Sequence, residues 1–479
     1  MSLKKTLIFA LILAGLLFYL FKYEMPAQKA LESKDLAFKN FEVSKLESIE
    51  IRKEGSQFKL KNRGFGKKSE NTVADDEWQI DGTEGAYVDP ATLTALTTSL
   101  STLKLDTTLP KEDVDGDLAV YGLKEPLLTV ALKGNDLASE VLLGKSNQYM
   151  SKRYMKLSTD ENVYMIDEAF FTSANKNRED FRDTTPVSFL DSEVKSVTVN
   201  QGKVTIKLNQ TDKKDWIMSQ PISSAASGPI VAAMFKNLRN LKAEKFIDDV
   251  KDYAPYKLDA PELKISLEFA ENTKQPSQVI TMARVNAEVG EKYYFSIAGR
   301  PSVFETKQNP FILLPAKADD FREKNLFNFA SDEVNRAEVE LEDGAKIIVV
   351  KDKENWKVNS KDGDKVFIDQ WLSNLSETVA DSFPAAATDY GFGKPKYKLS
   401  IELEGPLKRN LTIGSEFKDV SGAKKYYAAA DDLNNPFIIS EETFKKIALK
   451  EEALVPQKLA EQRPDAQAAS NTPFAAAKP

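Results

Sequence analysis

The sequence predicts an α+β fold present as three tandem repeats, each a mainly antiparallel sheet covered by one amphipathic helix, after an N-terminal transmembrane helix. Three observations predict it. Trp78, Trp216 and Trp356 recur at intervals of 138 and 140 residues. Each follows a Gly-centred hairpin signal and precedes a helical stripe of apolar residues. Each stripe is followed by Tyr-x-(Leu/Phe)-x-x-Pro, at Tyr121–Pro126, Tyr256–Pro261 and Tyr390–Pro395. A chain of 479 residues fits about three domains. A unit of about 140 residues can bury most of the surface that its unfolded chain exposes.

The elements follow in order. Each copy opens on two alternating runs about a glycine turn: Leu46–Arg52 and Gln57–Leu60 about Gly55, Val194–Val199 and Val204–Leu208 about Gly202, Ala337–Leu341 and Lys346–Val350 about Gly344. Alternation with period two marks half-buried strands, and glycine supplies the positive φ of the turn. The Trp strands come next. Asp89-Pro90 then reads as N-cap and first helical residue, with Leu93, Leu96, Leu100 and Leu103 at helical spacing. Pro229 takes the first helical position in copy two, before Val231, Met234, Leu238 and Leu241; Ile368, Trp371, Leu372, Leu375 and Val379 form the third stripe.

Four further strands close each copy. They are Leu127–Lys133, Glu140–Leu143, Tyr154–Leu157 and Val163–Ile166 in copy one. Copy two has Lys264–Phe269, Val279–Met282, Tyr293–Ile297 and Phe311–Leu314; copy three has Lys398–Glu404, Leu411–Ile413, Tyr426–Ala429 and Phe437–Ile439. The chain partitions into a cytoplasmic end (1–5), an anchor (6–23), a juxtamembrane stalk (24–45), repeats at 46–190, 191–330 and 331–455, and a disordered Ala/Gln/Pro-rich tail (456–479).

The N-terminus sets the expected location. Lys4-Lys5 precedes an apolar run from Leu7 to Phe21, and Lys22 follows it. Its length lies between a signal-peptide core and a full span. Met25 at position −3 of the candidate cleavage site, and Phe18, Tyr19, Phe21 and Tyr23 at the exit, favour a retained anchor over a cleaved peptide. The positive-inside bias of Lys4 and Lys5 then places the N-terminus in the cytoplasm and the bulk of the chain outside it.

Composition narrows the chemistry. The chain has no cysteine and no histidine. Thiolate nucleophiles, Cys/His zinc sites and histidine base catalysis are excluded, and no cofactor is expected. A net charge of −7 with no basic run makes nucleic acid a poor partner. Asp113-x-Asp115-Gly116-Asp117 departs from a calcium loop, with glycine at position 4 and Lys124 at position 12. Asp75-Asp76-Glu77 and Asp362-Gly363-Asp364 read as loop acids. No catalytic or metal-binding residue is expected.

The tryptophans could form a stacking platform, but a place inside a strand in every copy favours core packing. Tyr121, Tyr256 and Tyr390 read as packed tyrosines before a turn, and Pro126, Pro261 and Pro395 as strand starts. The residues that remain are at the joins. Asp180-Phe181-Arg182-Asp183 and Asp320-Phe321-Arg322-Glu323 lie 140 residues apart, followed by Phe189 and by Phe327 and Phe329. No such join follows copy three. Arg182 and Arg322 read as an ion pair or carbonyl contact between repeats ahead of an anion site.

This layout resembles an uncharacterised domain-of-unknown-function family, found as tandem copies in bacterial envelope proteins encoded beside gliding-motility-type ABC transporter components. The resemblance rests on Trp78, Tyr121-Gly122-Leu123, Pro126, Leu143-Gly144, Arg182-Asp183 and their counterparts, including Leu411-Thr412-Ile413-Gly414. Copy two departs from it, with Lys257 after the tyrosine and Ala283 where Gly144 and Gly414 stand. The family implies context and supplies no catalytic residues. The expectation is a non-enzymatic, membrane-anchored extracytoplasmic scaffold or auxiliary subunit of an ABC-type transporter complex. A glycan- or peptide-binding module is the alternative. A carboxylate hydrolase would need two acids roughly 5–9.5 Å apart.

Overall fold

The computed structural model describes residues 22, 35–39, 41–66, 78–114, 117–135, 137–273, 275–288, 290–327, 329–385, 389–431 and 433–455. The expected anchor, the loop acids Asp75-Asp76-Glu77, the centre of the Asp113–Asp117 loop and the expected tail lie outside these residues, apart from Lys22.

Three mainly antiparallel sheets are formed. The first contains β1 (Leu46–Lys53), β2 (Ser56–Asn62), β3 (Trp78–Ile80), β4 (Thr107–Leu109), β5 (Leu128–Gly134), β6 (Ala138–Asn147), β7 (Lys152–Leu157) and β8 (Val163–Asp167), in the order β3-β2-β1-β5-β6-β7-β8-β4. The second contains β9 (Val194–Gln201), β10 (Val204–Gln210), β11 (Trp216–Gln220), β12 (Ser224–Ala226), β13 (Lys245–Ile247), β14 (Leu263–Phe269), β15 (Gln278–Asn286), β16 (Glu291–Ile297) and β17 (Val303–Thr306). Its order is β12-β11-β10-β9-β14-β15-β16-β17-β13. The third contains β18 (Val334–Leu341), β19 (Lys346–Asp352), β20 (Asn355–Val358), β21 (Lys361–Asp362), β22 (Tyr397–Leu403), β23 (Lys408–Lys418), β24 (Lys424–Ala430) and β25 (Leu433–Ser440), ordered β21-β20-β19-β18-β22-β23-β24-β25.

The expectation of one helix per repeat is corrected. The first sheet carries α1 (Pro90–Ser101) and α2 (Glu168–Ala174), and Leu96, Leu100 and Phe170 enter one core with Ile49, Leu128 and Trp78. In the middle copy lie α3 (Gly228–Arg239), α4 (Pro310–Leu313) and α5 (Ala318–Phe321). The third sheet has α6 (Lys365–Ser376), α7 (Glu441–Ile447) and α8 (Glu451–Leu454), with Leu372, Ile447 and Leu454 in the core beside Trp356. One long stripe cannot cover an eight-stranded sheet, so the chain returns with short helices after the last strand. The expected transmembrane helix is likewise not part of the fold described: among the described residues no helix is long and apolar enough to cross a membrane.

Local chemistry explains the main helices. Asp89 caps α1, its carboxylate accepting the Thr92 amide at 2.7 Å, and Pro90 takes the first helical position. Asp364, read above as a loop acid, is the N-cap of α6 and accepts the Phe367 amide at 3.1 Å. Pro229 is the second residue of α3, one later than expected. Val231, Met234, Leu238 and Leu241 are all buried, whereas Val379 leaves the third stripe and is exposed.

Two strand expectations also change. Phe311–Leu314 is not the fourth strand of copy two; Asn309 caps α4 there, accepting the Phe311 amide at 3.0 Å, and the strand is β17. The prolines after the Tyr motif stand two residues ahead of β5, β14 and β22 and do not begin them.

The chain divides into two compact units. The first holds residues 1–194, 199–203 and 234–314, and the second 195–198, 204–233 and 315–479. The division falls inside the second sheet. Each join therefore lies wholly within one unit.

Candidate functional site

Trp78, Trp216 and Trp356 are all buried, as strand positions facing a helix require. Trp356 Nε1 donates to Asp369 on α6 at 2.8 Å, tying strand to helix. The tyrosines sit half-buried and edge-on to a second tyrosine one or two strands away. The pairs are Tyr121–Tyr154, Tyr256–Tyr294 and Tyr390–Tyr427, at 5.0, 5.2 and 5.2 Å between ring centroids. Such T-shaped pairs fit a structural role.

The glycine departures in copy two have a geometric cause. Lys145 N–H donates to the Tyr121 carbonyl and Ser415 N–H to the Tyr390 carbonyl, both at 2.9 Å. At Gly144 and Gly414 an added Cβ would collide with those same carbonyl oxygens, and the strand register shifts there in both sheets. In the second sheet the β15–β16 register runs unbroken from Ile280↔Ile297 to Asn286↔Glu291, so Ala283 is accommodated.

The joins bring the remaining singled-out residues together. In the first, Asp180 closes a turn by accepting the Asn177 amide at 2.7 Å. Phe181 is fully buried in the first core, 5.5 Å from the Phe58 ring. Its carbonyl accepts the amide of the α1 cap Asp89 at 2.8 Å, and Arg182 bridges Val88. The Arg182 side chain then reaches the next sheet. It donates twice to Asp248, at 2.6 and 2.8 Å, and lies 3.9 Å over the Phe246 ring. Ser302 adds a third bond to Asp248 at 2.8 Å. Burial pushes the Asp248 carboxyl up, but the bonds from Arg182 and Ser302 outweigh this and hold it below the usual carboxylate range.

Asp183 is the weaker partner. Its carboxylate accepts the Thr185 amide at 2.9 Å and lies 4.0 Å from Arg300, which stacks on Tyr87. Burial dominates and raises its pKa.

The second join repeats the plan. Asp320 accepts the Lys317 amide at 3.1 Å, and Phe321 is fully buried. The Phe321 carbonyl accepts the Ser227 amide at 2.8 Å, just before α3, and Arg322 bridges Ala226. Arg322 lies 3.3 Å over the Phe383 ring. Among the described residues only Asp319, 61% exposed, pairs with its guanidinium, at 3.3 Å; burial works against its charge and Asp319 opposes this. Glu323 turns back to accept the Lys324 and Asn325 amides, both at 2.8 Å. In both joins the buried Arg Nε has no hydrogen-bond partner among the described residues, as expected when the flat face is held by a ring.

The backbone extends the pattern beyond what sequence showed. Ala243 N–H donates to Thr184 and Ala380 N–H to Lys324, each at 2.7 Å, two residues past the arginine. In the first sheet Leu105 N–H makes the same bond to Asp35 at 2.8 Å, and Ala37 N–H donates to Leu103 as Leu326 N–H does to Thr378. The strap Asp35–Ala37 thus holds the place of an upstream join. At the other end, Leu454 carbonyl accepts the amide of the α6 cap Asp364 at 2.7 Å, matching Phe181 and Phe321. The third copy therefore closes like the others, with Val455 in the position of the arginine. Leucine for phenylalanine and valine for arginine erase the motif while the backbone keeps it.

Among the described residues no group of three acids converges as a metal site. A family model described as "Domain of unknown function (DUF4340)" matches residues 78–228 and 216–395, about two thirds of the chain together. Each match begins on a tryptophan and contains one join. No curated protein and no solved structure matches the chain.

Proposed function

The chain belongs to the family of the domain of unknown function DUF4340, and from that premise we propose that it is a non-enzymatic extracytoplasmic scaffold or auxiliary subunit of an ABC-type transporter complex. The observation that carries this reading is the use made of the join residues. Arg182 and Arg322, the best candidates for an anion site, are buried against Phe246 and Phe383 and hold one copy to the next. Side chains fixed in this way support a spaced array of sheets more readily than a reacting centre. Partners are then engaged by several weak faces at once, and avidity rises by multivalency. The partner class, ABC-type components, is what the resemblance drawn from the repeat motifs implies. Affinity capture from crosslinked bacterial membranes tests it. Co-recovery of transporter subunits is expected; recovery of the chain alone would refute it.

A further inference from the structure

The two joins share a backbone but not an acid. Arg322 lies over Phe383 as Arg182 lies over Phe246, and the amides of Ala380 and Ala243 receive the chain alike. Two residues after the ring, where the first join has Asp248, the second has Ala385, which is exposed. Residues 384–388 read Pro-Ala-Ala-Ala-Thr and contain no acid. The amides of Glu244 and Asp381 donate to the carbonyls of Glu305 and Ile438, which puts Asn435 at the place of Ser302. Asn435 donates instead to the Ser223 carbonyl, at 2.6 Å. Both groups that complete the first join are therefore replaced in the second.

Arg322 is nearly as deeply set as its counterpart. Its side chain is 6% exposed, against 2% for Arg182. Arg182 gives Nη1 and Nη2 to one carboxylate as an end-on fork. Among the described residues Arg322 gives Nη1 to Asp319 alone, and its Nη2 meets no acceptor. An acid three residues before the arginine does not close the fork, since Glu179 stands 3.6 Å from Arg182 Nη1 with Asp248 also bound. A buried charge is costly unless it is paired and hydrogen-bonded. Burial holds the Arg322 pKa below its ordinary value in spite of Asp319. The parallel N–H groups of a guanidinium match the two oxygens of a carboxylate.

We propose that the second join binds the carboxylate of a small organic acid, in the place that Asp248 fills in the first. The carboxylate accepts from Nη2 and Nη1 of Arg322, and the exposed Ala385 leaves its approach open to solvent. Phe383 keeps the flat face of the guanidinium, so the anion completes the contact between copies two and three. The proposal stands apart from the scaffold reading, since capture of transporter subunits neither requires nor excludes it.

Saturation-transfer difference NMR with acetate on the full chain tests it, at an ionic strength held constant with chloride and with circular dichroism confirming the fold of each variant. Saturable binding with a Kd of roughly 1–10 mM is expected. Ala385→Asp, which copies the first join, should weaken acetate binding at least roughly tenfold, and Arg322→Met should abolish it. Acetate at about ten times its Kd should raise hydrogen-exchange protection at the Ala380 amide by up to roughly tenfold and leave the Ala243 amide as it was. Absence of saturable acetate binding to the unmodified chain would overturn the proposal. So would an acetate affinity unchanged in whichever of the two variants is folded, or equal gains in protection at both amides.

Discussion

Removing the Asp248 carboxylate should cost far more than removing the charge it serves. In Asp248→Ala the Arg182 guanidinium, whose side chain is 2% exposed, loses bonds of 2.6 and 2.8 Å. Phe246 attracts the cation but offers no in-plane acceptor, and the Nε already has no partner among the described residues. The nearest remaining carboxylate is Glu179 at 3.6 Å, which is 56% exposed. Breaking a buried pair from one side costs roughly 3–5 kcal/mol; because Asp248 is 23% exposed and water can enter, about 3 kcal/mol is expected. Arg182→Met removes the charge, keeps apolar contact with Phe246 and leaves Asp248 bonded to Ser302, so roughly 1–2 kcal/mol is expected. The double variant should then resemble Arg182→Met alone, a clear coupling in a double-mutant cycle. Urea unfolding, with hydrogen exchange at the Ala243 amide reporting the join, measures all four proteins. A cost within about 0.5 kcal/mol for Asp248→Ala, or strictly additive costs, would refute the reasoning.

Acid should act on the two join carboxylates with opposite sign. The folded pKa of Asp248 is lowered, so its stabilisation is present above about pH 4 and lost as pH falls through the folded value. Unfolding titrations should therefore show Asp248→Ala losing less stability than wild type on acidification. The folded pKa of Asp183 is raised, so its ionisation opposes folding as pH climbs above about 4; Asp183→Asn should gain on wild type between pH 4 and 7. Gly144→Ala places a methyl on the Tyr121 carbonyl and should destabilise by roughly 1–3 kcal/mol in thermal unfolding, while Ala283→Gly should cost about 1 kcal/mol, mostly backbone entropy. Leu454→Ala, at the third copy's closing position, should cost roughly 2–5 kcal/mol; a neutral effect would deny its equivalence to Phe181 and Phe321.

Much of the sheet framework was legible because period-two alternation and Gly turns are dictated by local physics. β1, β2 and β9 begin within a residue of their expected starts, and Asp89-Pro90 opens its helix as read. What was not legible depends on distant partners. β4 and β13 are three-residue edge strands, and no periodicity marks them. Phe311–Leu314 has strand-like composition, but Asn309-Pro310 starts a helical turn there. The strap Asp35–Ala37 docks through backbone groups, which any residue supplies. The join arginines were identifiable by their period. Their receivers, Phe246, Asp248 and Phe383, lie some 60 residues downstream with no shared motif, and only the fold pairs them.

The most direct test is native-state hydrogen exchange on Arg182→Met and Arg322→Met in the full chain. Each join is held by its own arginine, so Arg182→Met should lower protection at the Ala243 amide and leave Ala380 unchanged. Arg322→Met should do the reverse. Wild-type protection at both amides in both variants would contradict the arginine-on-aromatic lock as the means by which the copies are joined.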